Sequence, residues 1–157
     1  MGSGRVRVVA IVTGVGTVLA ILGLAAFTGA DGSGDARRFF EVYGEVDADA
    51  PMAERAQRIE ALAAVPLATD EIATVRDLCV EAHRTLLRAE ERGAEARAAF
   101  RQATAGGSGE ESITDEQRAS IETALSESND ALALARRQMP ECLRRVHGLE
   151  QRYRTRH

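Results

Sequence analysis

The chain is predicted to be all-α: an N-terminal transmembrane helix, then a short helical pair packed on a long antiparallel coiled-coil hairpin. Three observations predict it. Val8 to Phe27 is an uncharged run. The back half carries two rows of apolar and small residues at alternating three- and four-residue spacing, the signature of a coiled-coil seam. One row is Ile72, Val75, Cys79, Ala82, Leu86, Ala89, Gly93, Ala96 and Phe100; the other is Ile121, Leu125, Ser128, Leu132, Ala135, Met139, Cys142, Val146 and Leu149. Strand-like alternation is absent from the sequence.

The rows match when read in opposite directions. Folding the chain back about Gly106-Gly107-Ser108-Gly109 pairs Ile72 with Leu149, Cys79 with Cys142, Leu86 with Ala135, Gly93 with Ser128 and Phe100 with Ile121. Small faces large in four of the nine layers, among them Leu86 with Ala135, which suits close packing of two helices.

Taken in order, residues 1–7 carry Arg5 and Arg7 and are expected to stay on the cytoplasmic side, since positive charge is retained there. A secretory apolar region is about 7 to 15 residues long, whereas about 20 cross a bilayer as a helix. Residues 8–27 fit the second length and are read as a signal anchor. The alternative is cleavage at Thr28-Gly29-Ala30, before Asp31. In both readings the remainder of the chain leaves the cytoplasm. Within the run, Ala10, Gly14 and Thr17 share a small-residue face suited to self-association with a second copy.

Residues 28–35 read as a Gly/Ser linker. A short helix over about 36–47 places Phe39, Phe40, Val42, Tyr43 and Val46 inward, and a second over about 52–65 does so with Ala56, Ile59, Leu62 and Ala63. It closes before Pro66, because proline disfavours helix at the residue preceding it. The long helices span about 70–104 and 115–154, so residues 36–157 make one extracytoplasmic domain. Thr69-Asp70-Glu71 offers a hydroxyl at the N-cap and two acids in the first turn of the third helix. Thr114-Asp115-Glu116-Gln117 is a fuller capping box for the fourth. Pro140 lies inside the fourth helix and removes one amide donor there. The short helices are expected to cover the lower half of the hairpin, burying Leu78, Leu87 and Leu143 off the seam.

All 20 cationic side chains are arginine, and the net charge is −4. Residues 31–72 hold ten acids against four arginines; residues 136–157 hold seven arginines against Glu141 and Glu150. Overall acidity and an extracytoplasmic address argue against nucleic acid as a partner. An up-and-down arrangement would return Arg144, Arg145, Arg152, Arg154 and Arg156 toward the bilayer, where they are candidates for contact with anionic head groups or an acidic partner.

Cys79 and Cys142 share a layer of the hairpin, and two facing thiols in an oxidising compartment form a disulfide. The alternatives are two reduced buried thiols, or a metal site that recruits His83, four residues after Cys79, and His147, five after Cys142. Five residues is a poor spacing for one helical face. No cofactor is implied. The motifs of common hydrolases, phosphate loops and zinc proteases are absent, and no catalytic residue is assigned.

The segment Ile113-Thr114-Asp115-Glu116-Gln117-Arg118-Ala119-Ser120-Ile121 resembles the Leu-Thr-x-x-Gln segment of the Spy/CpxP group of periplasmic stress chaperones and metal-resistance proteins. That resemblance implies a helical extracytoplasmic protein with chaperone or metal-responsive activity. The residues themselves suggest a different function: a membrane-anchored, non-enzymatic envelope protein that presents a helical rod as scaffold, adaptor or spacer for other envelope proteins.

Overall fold

The computed structural model describes residues 32–105 and 113–154. All regular structure among them is helical: α1 (Ser33–Tyr43), α2 (Met52–Ala63), α3 (Asp70–Thr104) and α4 (Asp115–Arg154). No helix among the described residues is long and apolar enough to cross a membrane. The run 8–27, with Ala10, Gly14 and Thr17, lies outside them.

α3 and α4 pack antiparallel, α3 being about 50 Å long at about 1.5 Å per residue. Cross-helix pairs fix the register along the interface. Arg152 pairs with Glu71 at the open end. Cys79 and Cys142 are bridged, with Cα atoms 5.0 Å apart. Arg92 meets Glu127 at 2.9 Å further toward the loop. Between the last two layers the Ser128 hydroxyl donates to the Ala89 carbonyl at 2.7 Å. The Thr114 capping box forms as a reciprocal pair: the Gln117 backbone amide donates to Thr114 Oγ1, and the Thr114 backbone amide to the Gln117 side-chain oxygen Oε1. α4 runs on through Pro140.

The two short helices lie on the lower half of the hairpin. Asp35, in the first turn of α1, accepts the amides of Ala68 and Thr69, both at 2.8 Å. At the other end of α1, the ring of Tyr43 stands edge-on to His83, 6.0 Å between centroids. α1 therefore runs alongside α3 in the same direction. α2 runs the opposite way, with Arg55 on Glu90, Arg84 on Glu60 at 2.8 Å, and the Arg76 guanidinium on the Val65 carbonyl at 2.7 Å. Phe39, Leu62, Ile72, Cys79 and Cys142 are fully buried where the four helices meet.

Several expectations are corrected. The linker is shorter than its composition suggests, because Ser33, Gly34 and Asp35 form the first turn of α1, which ends at Tyr43 rather than near 47. Gly32 just before it has φ +69°, and a methyl group there would stand 2.6 Å from the Tyr153 hydroxyl. The glycine is needed for backbone shape and for space. Thr69 makes no side-chain cap on α3; its backbone amide donates to the Asp35 carboxylate. Of the neighbours Thr85 and Leu86 on α3, it is Thr85 that is fully buried, its hydroxyl donating to the Glu81 carbonyl at 2.8 Å, while Leu86 is half-buried. Leu87 is buried and Leu78 partly so, but Leu143 is 53% exposed, beyond the cover of α1. Phe100 and Leu125, read as seam residues, are 40% and 45% exposed. Only two helices are present at their level, and two helices bury a narrow stripe.

Candidate functional site

Three surfaces of this bundle bear on function, and each grows from local sequence. The first surrounds the disulfide. Heptad spacing on α3 and α4 brings Cys79 and Cys142 into one layer, and both are wholly buried. With no thiol hydrogen left on the bridge, the Tyr43 hydroxyl is the donor in its 3.6 Å contact with Cys142 Sγ. Burial pushes the Tyr43 phenol up. His83, one turn after Cys79, faces Tyr43 from α3. Burial depresses its imidazole pKa, and the nearby Arg55 guanidinium depresses it further. Its Nε2 and the Arg55 Nε are both buried without a hydrogen-bond partner. Arg55 reaches this position from α2 through a two-pronged pair with Glu90, 2.9 Å for one prong. That hydrogen bond, more than the opposing desolvation, raises its pKa.

This layer does not assemble the candidate metal set Cys79, His83, Cys142 and His147. Both sulfurs are committed to each other, and a disulfide offers no thiolate to a metal. His83 points inward, whereas His147 is exposed on α4 with Gln151 beside it at 2.8 Å. Among the described residues no three His, Cys, Asp or Glu side chains gather to hold a metal.

The second surface is a cleft of about 760 Å³ between the start of α3 and the end of α4, floored by Val75, Leu78 and Leu149 and rimmed by Arg144, Arg145 and Arg152. Arg144 and Arg145 share the single carboxylate of Glu141, at 3.0 and 2.8 Å through their Nε atoms. Those two contacts, Arg144 first, hold Glu141 below the usual carboxylate range. Arg152 is held by Glu71. The structure thus brings three of the five candidate arginines to one rim; the side chain of Arg154, and Arg156, lie outside the described residues. Gly32 beside Tyr153 places the entry of the chain into α1 at this same end of the bundle.

The third surface is distal. Ala96, Arg97, Phe100, Arg101, Ile121 and Leu125 line an apolar groove of about 270 Å³ between α3 and α4.

Sequence reasoning missed Arg55, Glu90 and Asp35. A buried arginine at the head of an amphipathic helix reads as a surface charge. Its one signal was position: Arg55 lies four residues before Ile59 and seven before Leu62, on the inward stripe.

Comparison with protein-family models, with curated proteins and with solved structures finds no match to this chain.

Proposed function

We propose that the chain is a membrane-anchored, non-enzymatic protein of a bacterial envelope, whose extracytoplasmic hairpin serves as scaffold, adaptor or spacer for protein partners. One observation carries the reading: a disulfide-tied four-helix base supports a two-helix extension that leaves Phe100 and Leu125 largely exposed. Two helices alone leave these side chains uncovered, and apolar patches framed by polar residues mark interaction sites. The uncharged run 8–27 supplies the anchor in this reading. The chain enters the base where Tyr153 and the arginine-rimmed cleft lie.

In-cell photo-crosslinking tests it, with the probe at position 125 and, as a control, at Arg58 on the outer side of α2. A discrete protein adduct from position 125 alone supports the scaffold reading. No adduct from either position, with suppression of aggregation of unfolded clients by the purified chain, would favour the chaperone reading that the Thr114–Gln117 segment suggests. The reciprocal bonds of the capping box already explain that segment by helix initiation.

A further inference from the structure

We propose that the distal groove is a docking site for an acidic amphipathic helix of a partner protein, laid end to end with α1. This specifies the partner surface of the scaffold reading and rests on it only for the identity of the setting. The groove continues the one that α1 already fills. Along α4, Leu125 stands three heptads before Val146 and four before Tyr153, and those two residues border a cleft with Ala36, Phe40 and Tyr43 of α1. Along α3, Arg97 stands two heptads after His83, whose ring meets Tyr43 of α1. Residues a whole number of heptads apart lie on one flank of a coiled coil. α1 ends at Tyr43, and no helix among the described residues continues it along that flank.

Charge selects the occupant. Among the described residues, Arg97 and Arg101 are the charged side chains of the groove and no acid lines it, whereas the arginine-rimmed cleft carries Glu71 and Glu141. An apolar floor of Phe100, Ile121 and Leu125 beside two guanidinium groups fits a helix with an i, i+3, i+4, i+7 apolar stripe edged by glutamate or aspartate. From Glu90, where α2 begins, to Thr104 the free length is about 20 Å, room for about 14 helical residues. A second copy is a poorer occupant: in a face-to-face pair the two α1 helices, each on this flank, would hold the lower halves apart.

The test uses the full chain in nanodiscs of zwitterionic lipid, with empty discs subtracted. The probes are a fluorescent helical peptide of about 14 residues carrying a leucine stripe edged by glutamates, and its twin with arginine for each glutamate, read by anisotropy. The acidic peptide should bind at least roughly tenfold more tightly than the basic twin. Leu125→Glu should weaken it by roughly tenfold or more, and Arg97→Glu with Arg101→Glu should reverse the charge preference. Equal binding of the two peptides, or variants that bind as the parent does, overturns the proposal. So does self-association of the chain that Leu125→Glu abolishes, because the groove would then close on a second copy. Should Leu125→Glu lose helicity, the exposed arginine pair keeps the test decisive.

Discussion

Gly93 of α3 and Ser128 of α4 face each other so closely that a methyl group on residue 93 would stand 3.2 Å from the serine oxygen. That oxygen is fixed by its bond to the Ala89 carbonyl. The small pair sets how near the two helices approach at this layer. Gly93→Leu should therefore wedge them apart and lower stability by about 1 to 3 kcal/mol, the usual cost of overpacking. Ser128→Ala should cost about 0.5 to 1.5 kcal/mol, as the net loss of one hydrogen bond. Arg101→Ala, on the surface, should stay within about 0.5 kcal/mol. Denaturant melts of the three variants check the ordering.

The Cys79–Cys142 bridge closes a long loop, 63 residues apart in sequence. Replacing both cysteines by alanine should destabilise the domain by about 2 to 4 kcal/mol, chiefly through the freer unfolded chain. Both sulfurs are wholly buried, so a mild reductant should act only as fast as the bundle opens. The check is thiol release followed against time with and without denaturant. Release at the same rate in both conditions would contradict the burial.

The register of this hairpin was legible in the sequence because a heptad row constrains every layer at once. Cys79 with Cys142 and Gly93 with Ser128 came from one antiparallel alignment, and each lies in contact in the structure. The base was less legible. Asp35 looked like the end of a linker, yet it accepts two amides from the turn before α3, a pairing 33 and 34 residues distant that no local pattern encodes. Arg55 and Glu90 fail the same way, since a part-buried ion pair reads as two solvated charges. Leu143 and Phe100 show the opposite error. Apolar spacing promised burial, but Phe100 lies beyond the level where α1 and α2 end, and Leu143, next to Cys142, lies at their level on the solvent side of α4.

His83 and Asp35 give the domain two separate acid sensitivities. Burial and Arg55 depress the histidine pKa; Tyr43 from α1, Glu90 of α3, and Asp47 and Asp49 from the turn before α2 also act on that cluster. The native state thus binds fewer protons than the unfolded chain. Stability should be full above the unfolded value near 6.5 and fall as pH drops below it. His83→Gln should remove that step. At Asp35 burial raises the pKa, but the Thr69 hydroxyl and the Thr69 and Ala68 amides outweigh it, with Arg38 adding to them, so the net direction is down. Its contribution is present above the unfolded value of about 3.9 and is lost as pH falls through the lower folded value. Asp35→Asn should flatten only this second step. Melting temperatures from pH 3 to 8 separate the two.

The arginine-rimmed cleft predicts a salt-sensitive surface. Glu141 answers two arginines with one carboxylate, so one cation of the pair Arg144 and Arg145 is left over. Replacing Arg144, Arg145 and Arg152 by glutamine, in a chain lacking residues 1–31, should weaken binding to anionic vesicles by roughly fivefold or more at low salt, at about 1 kcal/mol per cation near a charged surface. The difference should vanish at high salt. Vesicle sedimentation measures it, and absence of binding by the parent at low salt would refute lipid contact at this cleft.

Anchoring with the hairpin outside the cytoplasm is the claim on which the functional account stands, and thiol labelling tests it most directly. Neither native cysteine is free, so a cysteine placed at exposed Ser126 near the far end of the hairpin is a unique target. In cells whose outer membrane is permeabilised, a membrane-impermeant maleimide should label Ser126→Cys without opening the inner membrane, and the labelled chain should stay in the membrane fraction after carbonate washing. Labelling that requires lysis of the inner membrane, or a labelled chain recovered as soluble protein, would contradict the account.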